Sequence, residues 1–195
     1  MRLVLASRNP HKLSELSALL AGHELISLPA GIALPPETGA TFVANARAKA
    51  RAAVLSTALP ALADDSGIEA MALGGAPGVR SARFAGARAS DEDNLSKLMR
   101  AVAPHEDRGV AYVCVLAFAT PEGEEASFEG RCEGALALAP RGDAGFGYDP
   151  VFLPREIGDG HTMAELSPRE KNRISHRARA ARAFAEWIER QERHG

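Results

Sequence analysis

Arg2-Leu3-Val4-Leu5-Ala6, then Ser7-Arg8-Asn9, then Pro10-His11-Lys12-Leu13 is the stretch on which the fold turns. A short apolar run reads as a buried strand. Asn9 is a good N-cap and Pro10 a good first helical residue, so a helix follows at once. Its core face carries Leu13, Leu16 and Leu20, and Gly22 ends it. Strand, tight loop and helix in that order predict an α/β protein. Working outward, Glu24 to Leu28 is a second strand candidate, and the Gly- and Pro-rich run Pro29 to Gly39 is loop. Thr41 caps a helix from Phe42 to Thr57, with Phe42, Ala46, Ala50, Ala53 and Val54 inward. Ala61-Leu62-Ala63 is a strand ending at Asp64-Asp65-Ser66-Gly67, and Gly74 to Gly86 is loop. Ser90 to Asp93 opens a helix carrying Leu95, Leu98, Met99 and Val102. Val110 to Ala119 and Ala126 to Leu138 flank Pro121-Glu122-Gly123-Glu124 as an antiparallel hairpin. Ser167-Pro168-Arg169-Glu170 has the register of a capping box, and helix continues towards Gln191 with a restart at Ser175. The whole reads as one α/β unit over 1–195 with a mixed sheet.

Composition narrows the function. Of 195 residues, 46% are hydrophobic and 25% charged, the balance of a globular domain rather than a disordered or fibrous chain. No apolar run approaches the ~18 residues of a membrane span, and the N-terminus lacks a signal-peptide layout. A net charge of −2 argues against binding nucleic acid through bulk electrostatics. Two cysteines, Cys114 and Cys132, are too few for a disulfide framework or a zinc site, so a cytoplasmic protein is expected. The histidines at 11, 23, 105, 161 and 194 show no ligand spacing. Lys12, Lys49, Lys97 and Lys171 stand against 19 arginines, so a lysine in this chain is worth explaining.

Five constellations could carry chemistry. The loop after the first strand offers backbone N–H groups, the Ser7 hydroxyl and Lys12 to an anion, or Asn9 only caps and Lys12 is solvated. Asn45 and Lys49 share a helix face, with Glu37 entering just before it. Together they could hold a metal beside a phosphate, or form a solvated face. Asp64-Asp65 at a strand end sits where α/β sheets bind ligands, and two adjacent carboxylates favour a divalent cation or a raised pKa. On a strand they point to opposite faces; the alternative is an Asx-turn capped by Gly67. Gly145-Phe146-Gly147-Tyr148-Asp149 can present a ring for stacking and a carboxylate for a base edge, or pack Phe146 into the core. Lys171 with Ser175-His176-Arg177 clusters donors at a helix start, suited to phosphate or ligand carbonyls.

In order along nearly the whole chain, these segments resemble the inosine triphosphate pyrophosphatase family, which hydrolyses non-standard purine nucleoside triphosphates. The resemblance also rests on Pro36-Glu37-Thr38-Gly39, Thr41-Phe42, Pro77-Gly78-Val79, Ser81-Ala82-Arg83, the run to Phe152, and Glu165-Leu166. It implies an elongated mixed sheet flanked by helices, with two lobes around a central nucleotide-binding cleft, a homodimer, and Mg²⁺. It implies Asp65 as general base and metal ligand, with Glu37 as a further metal ligand. Ser7, Arg8, Asn9 and Lys12, with Lys49, Ser66 and Lys171, would take the phosphates, and Asn45 would also contact the substrate. Phe146, Gly147, Tyr148 and Asp149, with His176 and Arg177, would take the base. The chain departs from the pattern at Arg80, where an aromatic is common, and at Ala44, where a glutamate often precedes the asparagine.

The chemistry implied is cleavage of the α–β phosphoanhydride of ITP, dITP or XTP to the monophosphate and pyrophosphate, cleansing the nucleotide pool. A 6-oxo base would suit donors from His176 and Arg177, and adenine would leave a donor unpaired, at ~1–3 kcal/mol. Three rivals stand beside this reading. A nucleotide sensor without catalysis would not need the extra carboxylates. A pyrophosphatase for modified pyrimidine or 7-methylated nucleotides would differ in base preference. A nucleic-acid binder using the Arg-rich last helix would show steep salt dependence.

Overall fold

The computed structural model describes residues 1–194; Gly195 and the side chain of His194 lie outside the described residues. Among the described residues are six strands in one sheet: β1 (Arg2–Leu5), β2 (Glu24–Ser27), β3 (Ala61–Ala70), β4 (Gly109–Ala119), β5 (Glu125–Leu136) and β6 (Phe152–Pro154). The helices are α1 (Pro10–Leu19), α2 (Phe42–Thr57), α3 (Asp91–Val102), α4 (Pro168–Ile174) and α5 (His176–His194). The sheet order is β2-β1-β3-β4-β5-β6. β1 runs parallel to β2 and β3, and β5 antiparallel to β6, so the sheet is mixed as the sequence predicts.

The chain divides into two compact units, Met1–Asp65 with Cys114–Gly130 and Arg177–Gly195, and Ser66–Val113 with Arg131–His176. The first has a core of Leu3, Leu5, Leu16, Leu20 and Leu62 packed with Leu116, Phe118 and Phe184. It is built where β1, α1 and α5 turn their apolar stripes together. The second gathers Ile68, Leu98, Val102, Tyr112, Phe152 and Ile174. The helix starts follow the local chemistry. Asn9 Oδ1 accepts from the His11 and Lys12 amides, and Thr41 caps α2. Ser90 and Ser167 each close a capping box, with Asp93 and Glu170. Ser175 is the C-cap that separates α4 from α5.

Two expectations need correction. α1 ends at Leu19, ahead of Gly22. The strand expected to stop at Asp64 runs on to Ala70, so Asp64-Asp65-Ser66-Gly67 is extended and no Asx-turn forms there. Gly67 serves a close approach instead. A Cβ there would lie 2.4 Å from Ser81 Oγ and 2.5 Å from the Gly78 carbonyl, because a 3₁₀ helix over Gly78–Arg83 lies against the strand. Ser81 Oγ holds that contact, accepting from Ile68 N at 2.9 Å and donating to Gly78 O at 2.6 Å. Gly67→Ala should therefore cost about 1–3 kcal/mol through overpacking. Urea denaturation checks this, and an unchanged midpoint would contradict it.

Candidate active site

In the first unit, Asp64 and Asp65 are both buried, and their alternation along β3 sends them to different partners. Asp64 is fully enclosed. Its Oδ1 pairs with the Lys12 ammonium, and its Oδ2 accepts from Arg177 Nε at 3.1 Å and from the Cys114 thiol at 3.3 Å. Arg177, 2% exposed, also pairs with Glu15. Burial opposes the Asp64 charge, but Lys12, Arg177 and Lys49 outweigh it and hold the carboxyl far below the usual carboxylate range. Burial likewise opposes the Arg177 charge, and Asp64 and Glu15 reverse that. The Cys114 thiol is pushed up by burial and by the Asp64 charge, so it stays protonated.

Asp65 faces the N-terminal half of α2. Its Oδ2 accepts from Asn45 Nδ2 at 2.9 Å, and Asn45 Oδ1 in turn accepts from Gly39 N at 2.8 Å. Lys49, one turn along α2, places Nζ 3.6 Å from Asp65 Oδ1 and 2.5 Å from Glu37 Oε1, and donates to the Asp64 carbonyl at 2.7 Å. The three residues that the sequence set beside one another, Glu37, Asn45 and Lys49, thus meet Asp65. Burial pushes the Asp65 carboxyl up to about 6; Glu37 adds to this, while Lys49 and Asn45 oppose it. Burial disfavours the Lys49 ammonium, but Asp65, Asp64 and Glu37 together raise its pKa.

The loop between β1 and α1 is tied at several points. Ser7 Oγ accepts from Asn9 N at 3.2 Å. The Arg8 guanidinium donates to the carbonyls of Leu28 and Pro29 at 2.9 Å and of Ile32 at 2.7 Å, so it staples the loop to the chain leaving β2. Asn9 spends its side-chain oxygen as the α1 cap.

In the second unit the segment from Gly145 to Asp149 wraps on its own aspartate. Asp149 Oδ2 accepts from Phe146 N at 3.1 Å and from Lys171 Nζ at 2.7 Å, and Oδ1 accepts from Tyr112 OH at 3.0 Å. Gly145 is required, since its φ is +77° and a Cβ would fall 2.1 Å from Asp149 Oδ2. Lys171 Nζ lies 5.3 Å from the centre of the half-buried Phe146 ring. The Tyr148 ring is buried and its hydroxyl donates to the Ser81 carbonyl at 2.8 Å. His176 stacks on Tyr112 at 4.6 Å, and Tyr112 on Phe152 at 4.4 Å. Ser66, half-buried, follows Asp65 on β3.

Three members of these clusters escaped the sequence reading. Glu15 lies three residues after Lys12 on α1, hence on the same face, and that spacing was the available signal. Tyr112 sits mid-strand in an apolar run, where nothing local marks it. Asp64 was visible as a carboxylate, but not as the anchor of Lys12 and Arg177, which needs contacts across 52 and 113 positions.

The Ham1 family model matches residues 3–187. A dITP/XTP pyrophosphatase from Ralstonia nicotianae is 52% identical over 97% of this chain and 96% of its own length. One from Symbiobacterium thermophilum is 51% identical over 92% of this chain and 90% of its own. Among solved structures, the Staphylococcus aureus Ham1 protein superposes with a TM-score of 0.88 at 36% identity, covering 98% of this chain and all of that one. The Mycobacterium abscessus nucleoside-triphosphatase / dITP/XTP pyrophosphatase gives 0.74 at 48% identity, covering 94% and 98%. With a match that begins within the first strand and runs into the last helix, the chain belongs to the Ham1 family.

Proposed function

We propose that this chain is a Mg²⁺-dependent hydrolase that cleaves the α–β phosphoanhydride of ITP, dITP and XTP, releasing the monophosphate and pyrophosphate. The relatives' names supply the substrate class. The observation that carries the chemistry is Asp65: a buried carboxylate with a pKa near 6, held by Asn45 and faced by a lysine that it shares with Glu37.

The two carboxylates fit a divalent cation. Both reach one ammonium nitrogen, at 2.5 Å and 3.6 Å, so a small cation is already favoured there. Both are hard oxygen donors, and Mg²⁺ commonly takes one or two carboxylates with water and phosphate oxygens as the rest. Among the described residues no group of three or more His, Cys, Asp or Glu is placed to hold a metal alone, so phosphate would complete the set. When bound, the cation supplies Lewis-acid polarisation of the phosphate and charge for the departing pyrophosphate.

The protein's own groups do the rest. Asp65 Oδ1 takes the proton of the attacking water, and its raised pKa makes it a better base than an exposed aspartate. Lys12 and Lys49, with Ser7, Arg8, Asn9, Asn45, Ser66 and Lys171, receive the phosphates and neutralise the charge that builds on them. Asp64, ionised by its cationic partners, keeps Lys12 in place rather than acting as a base. Phe146 stacks on the base, while His176 and Arg177 serve its 6-oxo edge. Tyr148 and Asp149 act there through the shape of their loop, and Asp149 also through Lys171. The match to one family model supports a single working domain over 1–195. We infer a cytoplasmic homodimer that needs neither nucleic acid nor a membrane; no described helix is long and apolar enough to cross one.

A product assay with Mg²⁺ on ITP, XTP, GTP and ATP, resolving pyrophosphate from orthophosphate, tests the reading. Pyrophosphate from ITP and XTP, with GTP and ATP largely spared, is expected. Orthophosphate instead, or no release above an Asp65→Asn control, would overturn it.

A further inference from the structure

The proposed base-stacking loop is not held by its own residues alone. Phe146 N and Gly147 N are consecutive donors that leave the loop for two different carboxylates. Phe146 N goes to Asp149, within the loop, at 3.1 Å; Gly147 N goes to Asp91 Oδ2 at 2.9 Å. Asp91 is the first residue of α3, directly after the Ser90 cap, and lies 56 positions away in sequence. It is not spent on capping that helix. Ser90 and Asp93 form the capping box between them, through the Asp93 N to Ser90 Oγ bond at 3.1 Å and the Ser90 N to Asp93 Oδ2 bond at 2.9 Å. Asp91 is thus available to reach out to the loop, and Gly147, with φ +65°, turns its N–H towards it in a conformation that other residues rarely adopt. The neighbouring residue is pinned to the same part of the chain, since Tyr148 OH donates to the Ser81 carbonyl. The Tyr148 phenol is pushed up by burial and then by the charge of Asp91.

We propose that Asp91 is a positioning residue for substrate selection. By accepting the Gly147 amide it sets the plane of the Phe146–Gly147 peptide, and with it the attitude of the Phe146 ring presented to the purine. This rests on the reading of Phe146 as the base-stacking residue. A charge-assisted hydrogen bond that orients a recognition loop acts on binding, so its loss appears in KM and in discrimination between bases rather than in the chemical step.

The test compares Asp91→Ala, Asp91→Asn and Phe146→Ala in steady-state kinetics on ITP and GTP, with thermal unfolding of each variant. Asp91→Ala should raise KM for ITP about tenfold and narrow the ITP over GTP preference, with kcat within about twofold. Asp91→Asn keeps an acceptor oxygen but loses the charge, and should bring KM back to within about threefold of the parent. A role confined to the α3 dipole predicts the opposite, with Asn and Ala equally destabilised and neither moving KM; that result would overturn the proposal. If Phe146→Ala raises KM while both Asp91 variants match the parent, Asp91 is refuted and the base-stacking reading stands. If Phe146→Ala leaves KM unchanged, the base-stacking reading fails and the proposal falls with it.

Discussion

Asp65→Asn should lose turnover by roughly 10²–10⁴-fold, the usual contribution of a general base, and yet give a more stable protein at neutral pH. The two effects share a cause. Burial raises the Asp65 pKa from 3.8 to about 6, so the folded chain resists ionising it. An acid whose pKa is higher in the folded state contributes nothing below the unfolded value, where both states are protonated. It then destabilises increasingly as pH rises from about 4 to about 6, beyond which the cost is constant. At about 1.4 kcal/mol per pH unit the gap is about 3 kcal/mol, which sets the upper limit of the gain. Asparagine resembles the protonated form and still accepts from Asn45, so it escapes that cost while losing the base. Denaturant unfolding of parent and variant at pH 4 and pH 7 should show the difference opening only at the higher pH. An Asp65→Asn protein that is less stable at pH 7, or that turns ITP over at the parental rate, would remove Asp65 from its assigned role.

Asp64→Asn should go the other way, costing about 3–5 kcal/mol, because it breaks a buried ion pair from one side. Lys12 and Arg177 would remain enclosed with Glu15 as the remaining carboxylate of that group. The pH dependence also reverses. The folded pKa of Asp64 lies below the unfolded value, so its stabilisation is complete above about pH 4 and is lost as pH falls below that. The parent should therefore lose stability in acid more steeply than the variant, which has no carboxylate at position 64 to protonate. Equal denaturation midpoints for parent and variant at pH 7 would show that Asp64 carries no such weight. The neighbouring aspartates are chemically alike and differ only in what β3 turns them towards.

Much of the fold was legible in the sequence because its signals are local. The Asn9, Thr41, Ser90 and Ser167 caps act within three residues, and α2 and α3 start where those caps place them. Apolar spacing on α1 and α3 likewise marked Leu16, Leu20, Leu95 and Leu98 as core. The reading failed at Asp64-Asp65-Ser66-Gly67, where two acids and a glycine signal a turn. The strand continues there because Asp64 and Asp65 each find partners from other elements, and Gly67 admits the Ser81 contact.

The grouping of Glu37, Asn45 and Lys49 could likewise be inferred before any coordinates, since helix periodicity alone puts Asn45 above Lys49. Helix periodicity could not show that Asp65 completes the group, that Asp64 is shared by Lys12 and Arg177, or that Asp91 supports a loop 56 residues further on. Sequence determined most of the elements and the family, because propensity, capping and motif order are properties of short segments. Tertiary structure decided which of two adjacent aspartates has its pKa raised and which is held ionised among buried cations, because burial and the sign of the nearest charge set a pKa, and both come from residues distant in the chain.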